Sequence, residues 1–390
     1  MHLSSDLAGY RPGVMPGTGM ADPIALRPWI CNADAVLQIA ATPSGDVPVL
    51  IPDRSPRRGD HSGAKPEPPT RLAERAWVTC LWSGSAGYAI DEWAARQDPR
   101  WGRALRPFAR LSAGLSWMLG PWRGAVQVGS WPLSTSLRET LRVVDLLGVL
   151  DAAIERFPDC PIALRHVFSD SPPELLEALA QRGFRALPAR VVYDLDATQV
   201  RKPTASHLKR DLALLARSDL TVIADSDFTH EDIEAALHMY QGIYRRRHSL
   251  RNPDYSAGFI QWARQRGLIE LLGLRSGTGQ LRAFAARHDQ GSTTSVPLLG
   301  YDLEADRRDG LYRQLVAALV REAGVRNQRF DFSSGAGDFK RKRGFEPRLE
   351  MTMVRAPSQS LLQWPVGLAL RLAAAGTSFL SIERLIAAGA

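Results

Sequence analysis

The sequence predicts a mixed α/β chain built as two tandem units with the same order of elements, and three features predict it. Short apolar runs of strand length alternate with longer amphipathic stretches, which argues for strands layered with helices rather than for a sandwich. The alternation restarts at Lys202, near the midpoint of the 390 residues. Each unit also closes on the same ending of helix, Arg-Gly-Phe and strand, with Arg182-Gly183-Phe184 in one and Arg343-Gly344-Phe345 in the other. A glycine there supplies the left-handed stop of a helix, and the phenylalanine caps the core as the strand begins.

In the first unit, Ala35–Ala41, Val47–Ile51 and Ala76–Trp82 are apolar runs that suit strands. Between the last two, residues 53–70 are rich in Pro, Gly, Arg and Asp without apolar periodicity, so they read as a loop. A helix is expected over Trp101–Leu119, a strand over Ala125–Gly129 and a helix over Ser136–Phe157. Strand Pro161–Phe168, helix Pro172–Arg182 and strand Ala189–Leu195 complete the unit. The second begins with helices at Ser206–Ser218, His230–His248 and Ser256–Arg266, followed by strands Leu268–Arg275, Leu281–His288 and Ser295–Tyr301. Helix Gly310–Ala323, strand Arg329–Ser333, a basic helix Asp338–Arg343 and strand Leu349–Arg355 end it. This places a flexible leader over 1–27, a first unit over 28–200, a second over 201–356 and a C-terminal segment over 357–390.

A chain of this length with 45% hydrophobic residues can bury two cores of ordinary size. The three cysteines, Cys31, Cys80 and Cys160, lie far apart without metal-ligand spacing, so neither a disulfide framework nor a metal site is expected. Residues 1–30 lack the apolar core of a signal peptide, and a cytoplasmic location is expected. A net charge of +8 favours acidic partners, or reflects an Arg-rich composition alone. Residues 361–387 are largely apolar but interrupted by Pro365 and Arg371, which suits a segment that docks on the protein or lies on a membrane face better than one that spans.

The most specific stretch is 299–347, which contains GYDLEADRRDGLYRQLVAALVREA and then FDFSSGAGDFKRKRGFEP. It resembles the GNAT acyltransferase superfamily and, within it, the FemAB-like proteins that carry two such domains. The resemblance runs over about residues 30–356 and is clearest from Asp194 onward. CLWSGSAGYAIDEWAAR and VGSWPLSTSL also look like segments of uncharacterised bacterial members. It implies two tandem GNAT-like domains and an acyl group moved from a thioester donor, acyl-CoA, to a small-molecule amine, with no metal and no DNA.

Arg307-Arg308-Asp309-Gly310-Leu311-Tyr312 lies between a strand and a helix N-terminus, where unpaired N–H groups and the helix dipole favour an anion. The resemblance assigns this turn to coenzyme A pyrophosphate: Arg307 and Gly310 fit the family's pattern, with Arg308, Leu311 and Tyr312 beside them. Tyr312 departs from it, because the family has a small residue there. Strand Ser295–Tyr301 is expected to expose N–H groups that steady an oxyanion. Asp302 and Glu304 follow it, and with His248 they are the candidate bases for deprotonating an amine. Lys340 stands where many GNAT enzymes have a tyrosine acid, and its cation is expected to stabilise an oxyanion or hold phosphate. The Lys-Arg-Lys-Arg run at 340–343 equally suits a solvated face or an RNA-attracting patch. Ser333, Ser334 and Tyr244 are candidate substrate contacts, as is Trp131 of the first unit, together with Ser134 and Arg165. The first unit lacks a basic Gly-rich turn and is expected to bind no coenzyme A. Two readings stay open beside the acyl-CoA enzyme: a donor that is aminoacyl-tRNA, and a non-catalytic binding or scaffold protein.

Overall fold

A computed structural model describes residues 22–53, 75–81, 83 and 124–357. The expected leader up to residue 21, the helix at 101–119 and the C-terminal segment at 361–387 lie outside the described residues, as does nearly all of the loop at 53–70.

Among the described residues, twelve strands form one mixed sheet in the order β1-β2-β3-β4-β5-β12-β6-β11-β10-β9-β8-β7. In the first half, β1 (Ile24–Ala25), β2 (Ala35–Thr42), β3 (Gly45–Pro52) and β4 (Val126–Val128) are antiparallel neighbours, and β4 is parallel to β5 (Ile162–Val167). The second half repeats this: β7 (Thr221–Ile223), β8 (Glu270–Arg275), β9 (Leu281–Gln290) and β10 (Thr293–Tyr301) are antiparallel, and β10 is parallel to β11 (Arg329–Asp331). This repeated order is what the tandem GNAT-like reading expects.

The closing strands are exchanged. β6 (Arg185–Leu195), which follows Arg182-Gly183-Phe184, lies beside β11 of the second half, whereas β12 (Glu346–Arg355), which follows Arg343-Gly344-Phe345, lies beside β5 of the first. The two pair with each other from Glu346↔Asp194 to Val354↔Arg185. Both start earlier than their apolar patterns predict, since a strand with neighbours on both sides has its ladder filled whatever its side chains.

Helices cover the faces. α1 (Val143–Arg156) and α2 (Pro173–Gln181) pack on the first half, while α3 (Ala197–Arg201), α4 (Ser206–Ala216) and α7 (Leu311–Val325) share a core with the second. α5 (His230–Tyr240) and α6 (Ala257–Gln265) form another core with Leu26, Leu37, Trp131 and Leu133 of the first half. α8 (Gly337–Arg341) is a single short turn before β12. Gly300 lets α5 approach β10, because a Cβ there would lie 2.7 Å from Cβ of Met239 and 2.9 Å from the Tyr240 nitrogen.

Two expected elements take another form, and β1, β7 and α3 stand where no element is expected. Ala76 opens a turn rather than a strand, since the N–H groups of Thr79 and Cys80 both return to its carbonyl. α1 begins at Val143 and not at Ser136: the Arg138 guanidinium donates to the carbonyls of Gly129, Ser136 and His166, which holds 129–142 as a strap.

The two faces of the central strands differ. Val191, Tyr193 and Leu195 of β6 enter the α7 core, so the alternate residues Arg190 and Asp194 face the other way. Around them stands a buried charged cluster. Glu350 bonds Arg190 at 2.8 Å and lies 3.4 Å from His166, whose other nitrogen is 3.6 Å from Asp331. Asp194 pairs with Arg348 and Arg329. Burial pushes the Glu350 carboxyl up, but Arg190, His166 and Arg165 together hold it far below its ordinary 4.5. A carboxyl depressed in this way contributes stability that is complete above 4.5 and is lost as the pH falls below it. Glu350→Gln should therefore cost about 3–5 kcal/mol at neutral pH and remove part of the wild type's loss of stability between pH 4.5 and lower values, both read from denaturant titrations across pH.

Candidate functional site

The site follows from how β10 and β11 part. Thr293, Thr294 and Ser295 pair with Arg329, Phe330 and Asp331, after which β11 ends and β10 breaks register with β9 between Ser295 and Leu298. Two parallel strands that separate leave a fork, bordered by Leu299–Tyr301 on one side and Phe332–Ser334 on the other. Pro297 sits in the bulge. It brings no N–H, and its carbonyl accepts the Ser134 hydroxyl at 3.1 Å. Pro297 therefore removes one of the expected oxyanion donors from this strand and leaves the N–H groups on either side of it.

Aromatic rings line the fork. Tyr312, on the first turn of α7, lies 5.6 Å from Tyr301, 6.2 Å from Phe332 and 4.7 Å from Phe339, measured between ring centroids. Burial pushes its hydroxyl well above the ordinary tyrosine value, and the nearby Tyr244 and Tyr301 add to this. It therefore stays protonated at neutral pH. Tyr244 reaches the same place because α5 continues into a wider π-helical turn, Gln241–His248, closed by the Ser249 N–H on the Tyr244 carbonyl. Its ring stacks on Tyr240 at 4.9 Å.

The turn before α7 is built as an N-terminus. Asp306 accepts the Arg308 N–H, Arg307–Asp309 make one tight turn, and Gly310 enters α7 at φ 62°. A side chain at Gly310 would be strained by that angle and would meet Leu214 of α4 at 3.1 Å. Arg307 and Arg308 are exposed, while Leu311 is buried. Asp211 of α4, 1% exposed, bonds Arg313 at 2.7 Å and Arg343 at 2.6 Å, so one carboxylate staples the start of α7 to the end of α8.

Lys340 is not placed to meet a substrate. It is 2% exposed, and its ammonium donates to the carbonyls of Phe332 (2.6 Å), Ser333 (3.0 Å) and Ser334 (2.9 Å). An ammonium has three donors, and all three are engaged. Burial lowers it to about 7, against the pull of Asp331. It clamps the loop that carries Ser333 (φ 54°) and Ala336 (φ 49°), a loop whose Ser333 N–H is also taken by Asp331. Ser333 and Ser334 thus border the fork with their backbones fixed. The basic run at 340–343 does not form one surface, since Lys340 and Arg343 are buried and Arg341 pairs with Asp338.

The other expected residues separate. Asp302 lies at the end of β10, accepts the Glu304 N–H and faces Arg282 at 3.4 Å. His248 is exposed, with its ring 6.2 Å from that of Tyr244. Trp131 is a core residue packed edge-on against Trp262. Ser134 and Arg165 belong to the polar face of the central strands. Asp211, Asp331 and His166 escape sequence reading, because their partners lie far along the chain and no local spacing marks them. Among the described residues no group of His, Cys, Asp or Glu is arranged to hold a metal. No described helix is long and apolar enough to cross a membrane.

No family model and no curated protein matches the chain. Several solved structures are similar at low identity. The C-terminal domain (DUF2156) of a putative lysylphosphatidylglycerol synthetase from Agrobacterium fabrum is 17% identical, covers 61% of this chain and 78% of its own, and gives a TM-score of 0.42. L-PGS from Bacillus licheniformis is 15% identical over 63% and 81% of the two chains, with a TM-score of 0.45. FemX is 11% identical over 61% and 83%, also at 0.45. At these values the fold rests on the strand order itself.

If Lys340 clamps the loop, Lys340→Met should cost several kcal/mol, since each carbonyl left unpaired costs about 1–3 kcal/mol. It should also speed amide exchange at 333–336. A purely catalytic lysine would leave both unchanged.

Proposed function

We propose that the fork between β10 and β11 is an acyl-transfer site that moves an acyl group from a thioester donor, acyl-CoA, to an amine. The observation that carries this reading is the parting of two parallel strands at a bulge, next to a helix that starts at a left-handed glycine. Arg307 and Arg308 with the backbone of Gly310, Leu311 and Tyr312 are the groups to hold the donor's pyrophosphate. The N–H groups flanking Pro297 are those that would meet the oxyanion formed when the amine nitrogen adds to the carbonyl carbon. Asp302, at the end of β10, is the carboxylate that would take the amine proton as base. The departing thiolate needs a proton as its C–S bond breaks. Tyr312, held protonated by burial, fits that role better than Lys340, whose donors are engaged.

A second reading has a specific observation in its favour. The Tyr312 ring stands where the GNAT pattern has a small residue, which restricts approach to the α7 N–H groups, and Arg246, Arg247, Arg307 and Arg308 are exposed. That combination favours aminoacyl-tRNA as donor. A non-catalytic binding role is the third, and in it neither Arg307 nor Tyr312 matters for turnover.

Calorimetric titration with acetyl-CoA and a long-chain acyl-CoA separates these. Saturable binding by the wild type that Arg307→Ala abolishes supports the acyl-CoA donor. Absence of binding to either, with tRNA binding that weakens steeply with salt, moves the assignment to aminoacyl-tRNA. With a turning-over substrate in hand, Tyr312→Phe should lower kcat by about 100-fold or more, the usual worth of a proton donor, while the fold survives.

A further inference from the structure

Three guanidinium groups converge on the strap at 129–138, away from the α7 core. Arg138 donates to the carbonyls of Gly129 and Ser136 at 3.1 Å and of His166 at 2.7 Å. Arg165 donates to Val78 and Ser134, both at 3.2 Å. Arg190 shares the Ser134 carbonyl at 2.6 Å. Among the described residues, Glu350 is the one carboxylate in contact with any of the three, through Arg190. It acts on Arg138 and Arg165 without touching them. Burial lowers both to about 10, so Arg138 and Arg165 stay cationic at neutral pH.

Among the described residues, three positive charges, Arg165 buried and Arg138 and Arg190 partly buried, thus face one negative charge. Carbonyl contacts and the stacking of Arg165 and Arg190 on Trp77, at 4.8 and 5.2 Å, offset part of the cost. Among the described residues an excess of positive charge remains, and a buried charge without a counter-charge is expensive. The same region holds buried polar groups without partners. Ser130 and Thr135, on the strap, have unbonded hydroxyls and no exposure, and both amide atoms of Gln127 on β4 are unbonded. Each such group costs about 1–3 kcal/mol, and folded proteins keep few of them.

We propose that the strap at 129–138, with β4, β5 and β6, forms a binding site for a small oxyanion, a carboxylate or a phosphate group. Arg138, Arg165 and Arg190 supply the charge, and Gln127, Ser130 and Thr135 supply hydrogen bonds. Ser134, Arg138 and Arg190, which are only partly buried, mark the open side. The Ser134 hydroxyl on the Pro297 carbonyl ties this site to the bulge of the fork, so an anion held here adjoins the β10–β11 opening. The inference rests on charge balance and not on the transfer reaction, and it stands or falls without an activity assay.

The test is the melting temperature of the full chain in sodium phosphate and in sodium acetate, against sodium chloride at equal ionic strength. A rise that saturates with phosphate or with acetate, absent with chloride, is expected, and the salt that saturates at lower concentration tells which oxyanion fits. Gln127→Leu removes two unbonded atoms at nearly constant volume, so it should fold at least as well as the wild type. It should also raise the half-saturating concentration about tenfold, the worth of one hydrogen bond to a charged group. Arg165→Met should abolish saturation; if it fails to fold, Gln127→Leu decides alone. A rise that tracks ionic strength alike in all three salts overturns the proposal, and so does a phosphate and acetate response unchanged in Gln127→Leu.

Discussion

The antiparallel pairing of β6 with β12 is the constraint on which the rest of the molecule depends. Each strand closes the half to which it does not belong by sequence, so neither half can complete its sheet without the other. A continuous ladder from β1 to β7 also leaves the two halves no hinge within the sheet. The pairing fixes where β11 ends, because β11 is held by Leu195 and Asp194 of β6 on one side and by β10 on the other. The fork opens where that double support stops.

The exchange also explains why charge is buried at the middle of the molecule. On one face, Tyr193, Leu195, Phe330 and Phe345 meet α7 and make an ordinary core. On the other, Glu350, Arg190, Asp331 and His166 lie against one another across four strands beside Asp194, which pairs with Arg348 and Arg329. Such a network stabilises less than an apolar core of the same volume would, but it tolerates only one register: a slip of one residue would set every one of these groups among apolar neighbours. Register between two similar halves is what needs specifying here.

At the fork, the family pattern and the geometry part company at two residues. Lys340 replaces an expected tyrosine, and the structure puts it under the loop at 332–334, where its three bonds fix the backbone. Tyr312 replaces an expected small residue, and it brings a phenolic hydroxyl to the aromatic lining. A lysine thus stands on α8, and a tyrosine on the first turn of α7. Asp211 holds these two helices together through Arg313 and Arg343, so the pair of changes sits on one rigid frame.

The sequence by itself determined the mixed α/β class, most of the longer strands and helices, the shared helix-Gly-Phe-strand ending and the place of the turn at Gly310, but it missed β1, β7 and α3. What it determined is written in local features: apolar period, a glycine after a helix, a glycine before one. It marked Arg182-Gly183-Phe184 and Arg343-Gly344-Phe345 as equivalent without revealing that the strands after them change places, because pairing partners 160 residues apart leave no local trace. It singled out Lys340, but a lysine in a basic run reads the same whether its ammonium meets solvent or three carbonyls. Likewise Trp131 is a large ring near a turn until packing assigns it to a core. Only the tertiary structure decided burial, and burial decides whether a charge is free to act on a ligand or is consumed in holding the fold.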